Sequence, residues 1–337
     1  MSGQIFLNKD HFSTESKCLF KNDAFRVETF RYNSGVEAIT IISPEGKVTV
    51  LPYMGQMIWD AEFRGVNMKM ENMFKEPKQT DQIVGTYGCF AYHSGLIRNG
   101  CPSPADDHPL HGEMPCAKMD KAWLTVSDDE VTIHGDYEYV MGFGDHYLAS
   151  PSVTMHSGRP EMDIVMSVTN LASVDMPLQY MCHTNYAYVP GAEFKQNIAE
   201  EAIKLRETIP AHVKPTEQWL AYNEQLKTNP TALNTLNQPE MYDPEIVFFM
   251  DELPKYADEA QFEMVAPDGT TFFSRFNTHE LPYATRWILH NGDQKVAAFV
   301  LPATCRPEGH IAAKNSGTLI SLASGATKSF RITTGLL

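Results

Sequence analysis

The chain contains no apolar run approaching the roughly 20 residues that cross a bilayer as a helix. Its longest candidates, such as Val296 to Leu301, have the length of buried strands. The opening Met1-Ser2-Gly3-Gln4 lacks a basic stretch followed by an apolar one, so no signal peptide is expected and a cytoplasmic location is the default. No C-x-x-C pair occurs among Cys18, Cys89, Cys101, Cys116, Cys182 and Cys305; scattered in a large chain, they read as reduced, mostly buried thiols. There is no G-x-S-x-G elbow, no phosphate-binding glycine loop and no H-E-x-x-H. Gly142-Phe-Gly144 lacks the third glycine and sits among strand signals, so it reads as a turn and no nucleotide site is expected. Basic residues are also scarce. With 27 Lys+Arg against 42 Asp+Glu, the formal charge is −15. Such a surface repels phosphate backbones and anionic lipid, which argues against nucleic-acid and membrane partners. A small neutral molecule, or a ligand whose charge meets a local basic pocket, fits better.

What is present is β pattern. Of the 337 residues, 43% are hydrophobic, which excludes disorder as the main state. Val131 to Tyr139 alternates apolar and polar, and Glu161 to Asn170 repeats this with Met162, Ile164, Met166 and Val168 on one face. Lys47 to Leu51 and Ser329 to Thr334 read the same way. Turn signals separate them: Pro44-Glu-Gly46, Ser157-Gly158, Pro267-Asp-Gly269, Asn291-Gly292 and Ser324-Gly325. Strand, turn and strand at short spacing predict an all-β fold, a large antiparallel β-sandwich. From about residue 196 to 236 the composition turns to Ala, Glu, Lys, Gln and Leu. Thr216 is placed to cap a short helix through Leu226, and Asn229-Pro230 to stop it. With too few large apolar residues for its own core, this stretch is expected as a partly helical insertion. The chain is read as one domain over residues 1–337, with residues 1–34 as an N-terminal extension.

Four segments are polar where a β protein has no need of it. Arg98-Asn99, flanked by Gly95 and Gly100, offers donors to ligand hydroxyls, or else makes a salt-bridged surface turn. Asp106-Asp107-His108-Pro109-Leu110-His111-Gly112-Glu113 has a metal-like composition, yet Pro109 and Gly112 make it irregular, so an acidic loop with one functional histidine is favoured over a metal site. In Tyr180 to Tyr186, alternation puts Met181, His183 and Asn185 on one face. A lone histidine there reads as a core group, but Asn185 two residues on suggests a shared cavity. In Arg306-Pro-Glu308-Gly309-His310, Glu308 just beyond a buried strand is either a turn residue or a desolvated general base.

In this order the segments resemble the galactose mutarotase (aldose 1-epimerase) superfamily. The resemblance rests on Arg98-Asn99, Leu110-His111-Gly112, His183-Thr-Asn185-Tyr186, Tyr242-Asp243 before Ile246 to Met250, and Glu308, supported by Leu51-Pro-Tyr-Met-Gly-Gln-Met57 and the run from Met162 to Pro177. It covers residues 35–337 or so. The second histidine is followed by Thr-Asn-Tyr rather than Tyr-Phe-Asn, His108 and His111 compete for one role, and Asp243 competes with Glu245. The sequence is thus similar to a divergent branch of that superfamily.

The resemblance implies the family's supersandwich fold and the interconversion of sugar anomers by ring opening and closure, with no cofactor and no metal. It implies Glu308 as base and His183 as acid, with Arg98, Asn99, His111, Asn185 and Asp243 on the substrate. His108, Glu245 and Arg306 are further candidates, and Trp287 or Trp59 offers an apolar platform for a sugar face. The sugar and the oligomeric state are left open. Two rivals stand beside this reading: a carbohydrate-binding protein without turnover on the same fold, and a metal-dependent sugar isomerase using His108, His111 and Glu113.

Overall fold

The computed structural model describes residues 3–211 and 213–337. Met1 and Ser2, at the head of the N-terminal tetrapeptide, and His212 lie outside the described residues. Two large sheets face each other. The first has nine strands, in the order Gly3–Phe6, Lys121–Val126, Glu130–Val140, His146–His156, Glu161–Asn170, Thr327–Leu336, Thr271–Asn277, Glu259–Val265 and Glu193–Gln196. The second runs Ile203–Leu205, Ile246–Met250, Tyr283–His290, Lys295–Ala303, Met176–Thr184, Ala91–Leu96, Met57–Phe63, Gly46–Leu51, Glu37–Ser43, Arg26–Arg31 and Lys17–Lys21, with two short strands attached beside this path. Among the described residues the strand pairings are antiparallel, so the fold is the large β-sandwich the alternation predicts.

Period two explains the core. Glu161–Asn170 buries Met162, Ile164, Met166 and Val168, and its partner strand buries Phe330 and Ile332. Opposite them the second sheet contributes Ile39, Ile41, Val48, Val50, Cys182 and Phe248 to the same cluster. Tyr180 stacks on Phe330 at 4.9 Å, and the Tyr186 and Thr334 hydroxyls meet at 2.7 Å, so ring and hydroxyl contacts tie the sheets together. The six cysteines are free thiols, and Cys89, Cys116, Cys182 and Cys305 are buried.

The segment read as an N-terminal extension is built into both sheets. Gly3–Phe6 pairs with Lys121–Val126 in the first, and Lys17–Lys21 and Arg26–Arg31 close one edge of the second. Short strands broken by Asn22-Asp23 and Asn33-Ser34-Gly35 do not stand out when read alone; their alternation matters only once partners are present.

The region of residues 196–236 carries the helix Glu217–Thr228, and Thr216 Oγ1 accepts a hydrogen bond from the Trp219 amide at 3.2 Å. The helix buries Trp219, Tyr222 and Leu226, and the Trp219 indole donates to the Glu245 carbonyl at 2.8 Å. The insertion is thus fastened beside the strand Ile246–Met250. Replacing Thr216 by alanine removes the cap and is expected to lower stability by about 1 kcal/mol. A lower urea midpoint at unchanged slope is the readout; an unchanged midpoint would show that the cap carries no stability.

Candidate functional site

The second sheet also uses its outer face. Met181 and His183 on one strand, Leu301 on the next, Thr285, Trp287 and Leu289 on a third, and Val247 and Phe249 on a fourth each follow the two-residue period, and together they floor a cavity of about 420 Å³. Small-molecule sites have this scale and this apolar character. Loops form the walls: Met73, Phe74, Val84 and Tyr87 on one side, Leu110 and His111 on another, and Arg206, Val213, Asp243 and Glu245 on a third.

His183 sits at the centre. Its strand register places Tyr92 directly opposite, and the two rings stack at 4.6 Å with 13° between their planes. His111 meets the ring edge-on at 4.9 Å, Trp287 at 5.7 Å and Tyr87 at 5.9 Å. The Tyr87 hydroxyl lies 3.2 Å from His183 Nε2. Burial among these rings lowers the His183 pKa to about 3; the Asn185 side chain favours the charged form but does not offset the lost hydration. The imidazole is therefore neutral at neutral pH. A charged His183 was the premise of its role as the acid, and the ring contacts supply no carboxylate to keep it charged.

His111 reaches the cavity through an unusual backbone. Its φ is +64°, in the left-handed region that non-glycine residues rarely adopt, and Gly112 follows at +82°. The turn is clamped: the His111 amide donates to the Gly100 carbonyl, and its own carbonyl accepts from the Gly95 amide and the Ser94 hydroxyl. A side chain on Gly112 would place its Cβ 2.0 Å from the Arg98 carbonyl oxygen, so only glycine fits. Of the two competing histidines it is His111 that faces the cavity. His108 packs beside Asp106 and lies 3.4 Å from the His310 amide, away from the cavity lining.

Glu245 is the best-defended carboxylate of the cavity. Oε1 accepts from Arg206 Nη2 at 2.7 Å and Oε2 from the Trp287 indole at 2.8 Å. Both members of the ion pair are nearly buried, at 9% and 10% side-chain exposure, so removing either one would leave an uncompensated charge in the cavity wall. Asp243 also lines the cavity and accepts from Asn291 at 3.3 Å. The loop before the strand Ile246–Met250 thus brings both carboxylates, with Pro244 between them, to the cavity.

Other expected site residues are elsewhere. Glu308 accepts from the Thr208 hydroxyl at 2.7 Å and lines a neighbouring groove with Arg306, Asp251 and Tyr283; the preceding residue, Pro307, lines the cavity and Glu308 does not. Arg306 pairs with Asp251 through two hydrogen bonds and lies over the Phe249 ring. Arg98 turns to Asp107. Asn99 is buried and accepts from Ser94 at 2.5 Å. Asn185 anchors to the Cys89 carbonyl behind His183. Trp59 is core. Glu113, with His108 and His111 the third candidate metal ligand, accepts from the Leu96 and Ile97 amides and the Tyr147 hydroxyl. Among the described residues no three such side chains are grouped as a metal would require. Tyr87 and Arg206 went unnoticed in the sequence because nothing local marks them: one lies in a loop, the other at the end of a three-residue strand.

On solved structures the chain is similar to a candidate aldose 1-epimerase from Klebsiella pneumoniae, at a TM-score of 0.82 and 18% identity over 100% of this chain and 92% of that one. It is similar to a galactose mutarotase-like protein from Clostridium acetobutylicum at 0.59 and 15%, covering 94% and 99%. A candidate aldose 1-epimerase from Escherichia coli K12 matches at 0.56 and 15%, covering 87% and 96%. At such identities the likeness is one of fold, and the fold is galactose mutarotase-like. Within it, the chain belongs to the family described as "Domain of unknown function (DUF4432)", which matches residues 33–336. Among curated proteins none matches the sequence. Among the described residues no helix is long and apolar enough to cross a membrane.

Two buried imidazoles give the fold a pH signature. His93, like His183, is pushed by burial from 6.5 to about 3. Unfolded, each ring binds a proton from about pH 6.5 downward; folded, neither does until about 3. The unfolded state therefore holds more protons between those values, and stability falls as pH falls, by up to about 1.4 kcal/mol per pH unit for each ring. Urea midpoints at pH 7 and pH 5, above carboxylate titration, should drop accordingly, and less so in His93→Gln. Equal midpoints at both values would contradict the burial.

Proposed function

We propose that the cavity binds a monosaccharide in its ring form and that the protein is an aldose 1-epimerase-like isomerase, exchanging the sugar's anomers. One observation carries this reading: two imidazoles, a phenol and an indole-held carboxylate, drawn from distant segments, converge on one cavity of a galactose mutarotase-like fold. Trp287 offers a ring edge and face for the apolar side of a sugar, and Asp243, His111 and Arg206 offer partners for hydroxyls.

The neutral state of His183 sets the chemistry. A neutral imidazole accepts a proton. The anomeric oxygen O1 and the ring oxygen are both bonded to C1, so one base can serve both in turn. The O1 proton passes to His183; the imidazolium returns it to the ring oxygen as the bond from C1 to that oxygen breaks. The aldehyde turns, and closure reverses the steps on its other face. Glu245, fixed by Arg206 and Trp287, supplies negative charge in the cavity while the imidazolium exists. Glu308, held by Thr208, is not assigned as the base.

One observation favours binding without turnover: the carboxylate that enters the cavity is already ion-paired, and Glu308 stands outside. Anomer-exchange NMR over a panel of neutral, phosphorylated and acidic free sugars decides between the two. On the enzymatic reading His183→Gln lowers exchange on the order of 10²- to 10⁴-fold, whereas Glu308→Gln changes it little. Because the base works unprotonated and its pKa is depressed, the rate should be level from about pH 5 to 8 and fall only on the acid side. Sugar binding with no exchange above the buffer rate would leave the binding reading in its place.

A further inference from the structure

We propose that Tyr87 is a catalytic residue, the group that meets the sugar and passes the proton between it and His183. The inference rests on the reading of the cavity as an anomer-exchange site and adds to it the atom through which the proton travels.

Donor accounting along a chain of buried groups carries the argument. The Tyr92 hydroxyl donates to the Tyr87 oxygen at 3.4 Å. That leaves the Tyr87 proton for its other neighbour, His183 Nε2, at 3.2 Å. Nε2 must then be the bare, accepting nitrogen of a neutral imidazole, and the ring proton sits on Nδ1. The far side of the ring agrees. Nδ1 of His183 and Oδ1 of Asn185 are both buried and neither makes a well-formed hydrogen bond, while the two side chains are near enough for Asn185 to favour the protonated ring. Asn185 is oriented by its amide nitrogen, which donates to the Cys89 carbonyl at 3.1 Å. This leaves its oxygen for the Nδ1 proton. The order is Tyr92, Tyr87, His183, Asn185, each donating to the next.

Exposure places Tyr87 in front. It is half-buried at the cavity wall, whereas His183 is only 4% exposed and its Nε2 is already taken by the phenol. A substrate hydroxyl that approaches Nε2 therefore meets the Tyr87 oxygen that occupies it. In the forward step the O1–H bond breaks and the proton joins the Tyr87 oxygen, while the Tyr87 proton moves to His183 Nε2. The return step moves the Nε2 proton back to the phenol oxygen, and the phenol proton goes to the ring oxygen as its bond to C1 breaks. Tyrosine and histidine end as they began, and no other reactant is consumed. The edge-on contact of Tyr87 with Trp287, at 6.0 Å between centroids, keeps the phenol beside the sugar platform.

The test pairs ¹⁵N NMR of histidine-labelled protein with anomer-exchange NMR on the sugar found in the panel. The His183 signals are assigned by their loss in His183→Gln. The parent should show Nδ1 protonated and Nε2 bare but hydrogen-bonded. In Tyr87→Phe, Nε2 should move to the position of a nitrogen without a hydrogen bond. Exchange should fall about 100-fold while sugar affinity stays within about threefold. A parent whose proton sits on Nε2 overturns the relay without recourse to any variant, and so regardless of how Tyr87→Phe folds. An unchanged exchange rate in Tyr87→Phe overturns it too, as does a loss of rate matched by an equal loss of affinity, since Tyr87 would then only bind. If the parent exchanges no anomers, the functional reading itself falls and takes the relay with it. Exchange that persists alongside the wrong tautomer removes the relay alone.

Discussion

Alternate residues of a strand face opposite ways, and the second sheet of this protein needs both of its faces. Inward, Phe248, Cys182 and Ile288 join the core shared with the first sheet. Outward, Val247, His183 and Trp287 floor the cavity. The two sets interleave residue by residue, so a slip of one position in register would exchange core for cavity. The geometry of the candidate site is thus set by the same packing that sets the fold. The histidine strand is pinned by pairing to Ala91–Leu96 on one side and contact with Lys295–Ala303 on the other, which fixes where the ring stands.

Burial then decides the chemistry of that ring. The chain carries a formal charge of −15, yet long-range negative charge does not make His183 a cation, because the aromatic shell around it removes water and supplies no acid. The same low-dielectric setting strengthens the Arg206–Glu245 pair, whose arginine is the cavity's fixed positive charge in a strongly negative protein. Shape and electrostatics divide the cavity's work. The apolar floor excludes water, and a few fixed polar groups, each with a defined partner, set where hydroxyls can be met.

The sandwich was legible because alternation survives in single strands. Glu161–Asn170 begins and ends where the pattern says, and Thr216 caps the helix it was expected to cap. The edge strands near the N-terminus were not legible, since their pattern is too short without its partners. At the site, His111 and His183 stood out as polar residues in turn and strand contexts, whereas Asp243, Glu245 and Trp287 entered only through the resemblance. Glu308 was expected there because it follows a buried strand. Position along the strand does not set side-chain direction in the loop beyond it, and the Thr208 hydroxyl turns that carboxylate into the next groove. Tyr87 and Arg206 became visible only when the cavity brought their loops to His183 and Glu245.

The loop bearing His111 shows how such a site is kept in place at some expense to the backbone. A left-handed histidine is disfavoured by roughly 1–3 kcal/mol, and a fold retains it only where neighbours over-determine it. Here they do: three backbone hydrogen bonds and a serine hydroxyl hold the turn from His111 to Met114 against Ser94, Gly95 and Gly100. Glu113 adds a carboxylate that receives the next two amides and a tyrosine hydroxyl. None of these groups lines the cavity except His111 itself. The acidic, histidine-rich composition that looks like a metal site is therefore mostly a brace. Its Glu113 carboxylate satisfies two buried amides so that one imidazole can stand against His183 in a conformation the chain would not otherwise adopt.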